Sequence, residues 1–134
     1  MKQLHFTHEI HYQDSDEGIP LQVTLHYAGT SIDVTAKVDS GSAVCLFTHE
    51  DGLDLGLPIE QGIPLRLSSL TGTLEAFGHE VTLQTDDIAF QSIGYFAKYP
   101  GLPRNLLGRR GWLRNLRFGL IEYENLLYLS DYHS

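Results

Sequence analysis

Cysteine is almost absent from this chain, as are methionine and tryptophan, each present once in 134 residues. With Cys45 alone, neither an internal disulfide nor a multi-cysteine zinc site is possible. Its neighbours Val44, Leu46 and Phe47 are apolar, which assigns it a buried packing role. Long hydrophobic runs are missing too: none approaches the roughly 20 residues that a membrane-spanning helix needs, so no membrane partner is expected. Positive charge is scarce, with 9 basic residues against 17 acidic and a formal net charge of −8. Phosphate binding relies on clustered cations, so this balance speaks against a nucleic-acid partner. The opening segment MKQLHFTHEIHYQDSDEG has no apolar stretch behind a basic cluster, so no secretory signal is predicted and the expected location is cytoplasmic.

What the chain does contain is apolar residues at alternate positions, the signature of strands whose successive side chains face opposite ways. Leu21, Val23, Leu25 and Tyr27 alternate with Gln22, Thr24 and His26, and the pattern resumes at Ile32, Val34, Ala36 and Val38 after Ala28-Gly29-Thr30-Ser31. That is a β-hairpin. Further strands are predicted over Ile63 to Leu70, Leu74 to Gln84, Ile88 to Phe96, and Phe118 to Tyr123 paired with Leu126 to Leu129. Helix signals are few. Thr48 is a candidate N-cap with Glu50 and Asp51 in the first turn, limited to one or two turns by Gly52 and Gly56. A second short helix is predicted over Gly108 to Leu116, where Trp112, Leu113 and Leu116 share a face. The expected fold class is all-β, mainly strands with one or two short helices, closed into a barrel that protects its edges.

Chemistry is expected at Asp39, which directly follows the alternating strand and precedes Ser40, Gly41 and Ser42. A carboxylate at a strand end is held rigidly, a neighbouring hydroxyl can orient it, and Gly permits a tight turn and close approach of another chain. Asp, Ser and Gly are also favoured turn residues, so on the tripeptide alone a carboxylate capping backbone amides is the simpler reading. Context shifts the weight: AKV precedes and AVCLF follows, which places the triplet against the core, and about seventy positions later comes NLLGRRGWL. Val38-Asp39-Ser40-Gly41-Ser42, followed in order by a hairpin and by Leu106-Leu107-Gly108-Arg109, resembles the retropepsin-like aspartic proteases. The resemblance spans roughly Leu21 to Leu129.

That resemblance implies a closed acid-protease barrel with one lobe per chain, formed by residues 21–134, and an N-terminal arm of residues 1–20 at a dimer interface. It implies an aspartic endopeptidase active as a homodimer on peptide or protein substrates, without metal or other cofactor. Asp39 would supply one of two paired carboxylates, Ser40 and Gly41 would support it, and Ser42, Ala43, Leu106, Leu107 and Gly108 would line the substrate groove. Leu70, Thr71, Gly72 and Thr73 would form the tip of a flap over the substrate, and Arg109 and Trp112 would support the dimer or the core. One departure is evident: viral members carry an Asp two positions after the Gly, where this chain has Ala43, which leaves Arg109 without that partner. A peptide-binding module that has lost turnover is the alternative reading, and a scaffold for interactions a weaker one.

Other candidates read more simply as structure. His5, His8 and His11 would face one metal on a helix, but LHFTHEIHY alternates like a strand, where a spacing of three splits them between faces. Asp14, Asp16 and Glu17 lack the rest of a calcium loop, and Asp86-Asp87 reads as a turn. Trp112 is expected in the core, not as a substrate platform. Arg104, Arg109, Arg110, Arg114 and Arg117 form either a solvated face or pairs across a dimer.

Overall fold

A computed structural model describes residues 1–133. The strands are β1 (His8–His11), β2 (Ile19–Tyr27), β3 (Thr30–Val38), β4 (Cys45–Phe47), β5 (Ile63–Ser69), β6 (Gly72–Thr85), β7 (Ile88–Ala97), β8 (Asn105–Leu107), β9 (Leu116–Ile121) and β10 (Leu126–Asp131); α1 (His49–Asp54) is the one α-helix among the described residues. The larger sheet runs β2-β3-β8-β4-β7-β6-β5, and a further β2–β6 pairing from Thr24↔Gln84 to His26↔Thr82 closes its first six strands into a barrel. The fold is thus mainly β, as the alternation predicts.

The β2–β3 hairpin shows how the sequence sets the register. Ala28 and Gly29 form a two-residue turn with φ of 47° and 84°, the left-handed backbone that matches the twist of the flanking strands. Leu21↔Ala36, Val23↔Val34 and Leu25↔Ile32 then pair on the barrel's inner face. On the outer face Gln22 Nε2 donates to Thr35 Oγ1 at 2.8 Å and Thr24 Oγ1 to Asp33 Oδ1 at 2.6 Å. A one-residue slip would exchange the two faces, which is why the register is strongly specified.

A second sheet, β1-β10-β9, packs on the barrel. Leu127 and Leu129 of β10 and Leu116 of β9 join Leu21, Val23, Leu25 and Leu107 in a single hydrophobic core with Phe47, Phe96 and Trp112. β1 pairs with β10 of its own chain, from His8↔Leu129 to His11↔Leu126.

The helix expected over Gly108 to Leu116 does not form; only Leu113–Asn115 makes a 3-10 turn. Two causes are visible. Arg109 N and Arg110 N donate to Ser42 O and Ala43 O, each at 2.9 Å, so these residues run beside another segment instead of starting a helix. Gly111 then adopts φ +125° and turns Trp112 into the core, where Nε1 donates to Thr85 Oγ1 at 3.1 Å and the ring meets Phe118 edge-on. The short helix after Thr48 does form, with Asp51 N donating to Thr48 Oγ1 at 3.1 Å.

Candidate active site

The site begins where β3 ends. β3 and β8 run parallel, pairing Ala36↔Asn105, Lys37↔Leu106 and Val38↔Leu107. Asp39 N extends this ladder by donating to Leu107 O at 2.9 Å, so the Asp39 backbone is pinned by a central strand. The chain then turns sharply: Ser42 N donates to Asp39 O at 3.1 Å, and Gly41 N donates to Asp39 Oδ1 at 2.9 Å. One carboxylate oxygen is thereby held by the turn. Asp39 is half-buried, Ser40, Gly41 and Ala43 are exposed, and Ser42 donates its hydroxyl to Val44 O at 2.7 Å.

The second segment locks against the first. Besides the Arg109 and Arg110 amides, Val44 and Arg110 form an isolated parallel bridge. Gly108 sits between them with no room for a side chain: a Cβ there would lie 2.1 Å from Val44 O and 2.7 Å from Ser42 O. Both obstacles are backbone, so only glycine fits. Beneath the loop lies Cys45, fully buried; burial pushes its thiol up to about 11, partly offset by a backbone hydrogen bond from Gly108.

Adjacent residues of β8 face opposite ways, which separates the two leucines. Leu107 is fully buried in the core, so it offers a ligand no surface and the groove reading for it is corrected; Leu106 is half-buried. Gly108 is buried as well, and what it contributes is backbone fit. Arg109 is exposed and Trp112 lies in the core. Leu70 and Thr71 cap the β5–β6 hairpin, flanked by the Ser69↔Gly72 pair, and Leu70, Thr71, Gly72 and Thr73 are all exposed at its tip.

A supporting residue that the sequence reading passed over is Asn105. It is buried, its Oδ1 accepts from Thr48 N at 2.9 Å, and its Nδ2 donates to Thr35 O at 3.1 Å and to Asp51 Oδ2 at 2.9 Å. One side chain thus ties the start of α1 to β3, the strand that delivers Asp39. The available signal was an amide directly before an apolar pair, in a segment with no other reason to be polar. The histidines of the arm do not converge: His8 meets Asp87 and lies 4.0 Å from Asp86, while His5 and His11 are exposed. Among the described residues no group of three or more His, Cys, Asp or Glu side chains could hold a metal ion.

No protein-family model matches the sequence, and none of the curated proteins does. Solved structures do. A retropepsin-like aspartic protease from Rickettsia conorii superposes with a TM-score of 0.65 at 19% identity, over 91% of this chain and 98% of that one. The chain has the retropepsin-like fold. EIAV protease, in complex with the inhibitor HBY-793, superposes with a TM-score of 0.55 at 16% identity, over 72% of this chain and 86% of that one. At such identities the likeness is one of architecture. What this retropepsin-like chain adds from its own residues is a single rigid carboxylate at a strand end, cradled by a loop that Gly108 allows to close.

Proposed function

We propose that the chain is one half of a homodimeric aspartic endopeptidase, with Asp39 of two copies forming the catalytic pair. The observation that carries this reading is Asp39 itself: half-buried at the end of β3, its backbone fixed by Leu107 and one carboxylate oxygen fixed by Gly41. One chain offers one such carboxylate, so a complete site requires a twofold axis between two copies. Two carboxylates roughly 3 Å apart cannot both ionise and share one proton, the behaviour that characterises aspartic proteases. The ionised member draws a proton from water while the protonated one polarises the peptide carbonyl. Ser40 braces the pair across the axis, and Ser42, Ala43 and Leu106 line the groove. The exposed hairpin tip at Leu70 to Thr73 closes over an extended substrate as an added strand. The N-terminal arm takes part in the dimer through the sheet it shares with β9 and β10, where Leu120 and Ile121 are exposed, as is Tyr123 in the turn that joins those two strands.

The test is cleavage of a mixed peptide library by wild type and by Asp39→Asn, from mildly acidic to neutral pH. Wild type should cut with a bell-shaped pH profile, and the substitution should abolish turnover. Activity that survives in Asp39→Asn, or none in wild type, overturns the reading; peptide binding without cleavage identifies a module that keeps the groove alone.

A further inference from the structure

We propose that a depression beside the candidate catalytic loop is a subsite for an acidic substrate side chain, with Arg110 as its selecting cation. The proposal rests on the protease reading for its substrate class, an extended peptide. The depression has a volume of about 470 Å³ and lies between Val44 at the far end of the Asp39 loop, Leu65 of β5, and Gln91, Ile93 and Tyr95 of β7, with Arg110 in its wall. Its position follows from the chain. Val44 is five residues past Asp39, so it lies within about 17 Å, a span that an extended peptide covers in about five residues. Leu65 belongs to the first strand of the flap-like hairpin, so a peptide held beneath that hairpin would pass the depression.

The charge is unusual for this molecule. The chain carries 17 acidic residues, yet none of the residues lining the depression is a carboxylate. Arg110 is exposed and enters no ion pair among the described residues, while its backbone is held by Ala43 O at 2.9 Å and by the bridge to Val44. Two carboxylates stand on the neighbouring strand β6: Glu80, opposite Ile93, lines the adjoining depression with His26 and Tyr27, and Glu75 pairs with Arg66. An unpaired guanidinium carried on a fixed backbone presents a planar fork of donors that matches a carboxylate with two parallel hydrogen bonds. The apolar side chains of Val44, Leu65 and Ile93 would exclude water from one side and strengthen the pair. In a symmetric dimer the subsite occurs twice, once on each side of the scissile bond.

The experiment measures kcat/KM for peptide pairs differing only by Glu or Gln at each position within five residues of the cleaved bond. Wild type should favour Glu at one position on a given side, by about tenfold or more, with the preference weakening as salt rises. Arg110→Gln should bring the Glu/Gln ratio near one, and Arg110→Glu should invert it in favour of Gln. No Glu preference in wild type, or one that persists in Arg110→Glu, overturns the proposal. If wild type cuts no peptide at all, the protease reading fails separately, and the subsite is then read from fluorescence anisotropy of labelled acidic and neutral peptides. A preference for the acidic peptide that Arg110→Glu removes sustains it; equal binding of both overturns it.

Discussion

Asp39 and Gly108 shape the candidate site by complementary means, one supplying a charge and the other supplying the absence of a side chain. The Asp39 carboxylate is oriented by an amide two residues on, a local interaction that Asp-Ser-Gly favours in any setting. Gly108 is needed for a non-local reason, the carbonyls of Ser42 and Val44 at its Cβ position. Cys45, between them, is inert by burial: its thiol rises from 9.0 to about 11 because desolvation penalises the thiolate. The folded chain therefore binds this proton more tightly than the unfolded one does. The thiol's contribution to stability is whole below the unfolded value and is lost as pH rises through the folded one. Iodoacetamide near neutral pH should leave native protein unlabelled by mass spectrometry, whereas addition of denaturant should give complete single-site alkylation. Fast labelling of the native chain would show that the loop over Cys45 opens readily.

At the scale of elements, two hairpins of similar form carry different loads. The β5–β6 hairpin ends in an exposed tip, Leu70 to Thr73. The β2–β3 hairpin carries the barrel wall and delivers Asp39, yet its turn places Ala28 at φ 47°, where a Cβ is unfavourable. Ala28→Asn creates the Asn-Gly turn preferred by such hairpins and should stabilise the fold by roughly 0.5–1 kcal/mol. Thermal denaturation followed by circular dichroism should show a midpoint a few degrees higher; an unchanged or lower midpoint would mean that the turn is relaxed by its surroundings. The segment after Gly108 shows the reverse relation between preference and outcome. Its apolar spacing suits a helix, but the Asp39 loop takes the amides of Arg109 and Arg110, and the core takes Trp112.

For the whole molecule, a net charge of −8 keeps copies apart at neutral pH and opposes self-association. Light scattering at neutral pH should therefore show self-association rising as added salt screens that charge. A signal flat in salt would show that net charge has no bearing on association. The two sheets act as one body because their inner faces share a single core, in which Leu127 and Leu129 pack with the barrel's Leu25 and Leu107.

Much of this was legible in the chain because it depends on near neighbours. Alternation of apolar residues determined which segments are strands, Ala28-Gly29-Thr30-Ser31 and Leu70-Thr71-Gly72-Thr73 marked their turns, and the order of Val38-Asp39-Ser40-Gly41 and Leu106-Leu107-Gly108 pointed to one fold. Three-residue strands such as β4 and β8 are too short for a period to show, and their pairing was decided by the sheet around them. Asn105 reaching α1 and β3, β1 lying along β10, and Arg110 standing beside Val44 with no ion pair among the described residues all depend on which distant residues the closed barrel brings together. Local preferences act over a few residues, whereas a site is assembled by contacts between segments whose separation in sequence carries no signal of their distance in space.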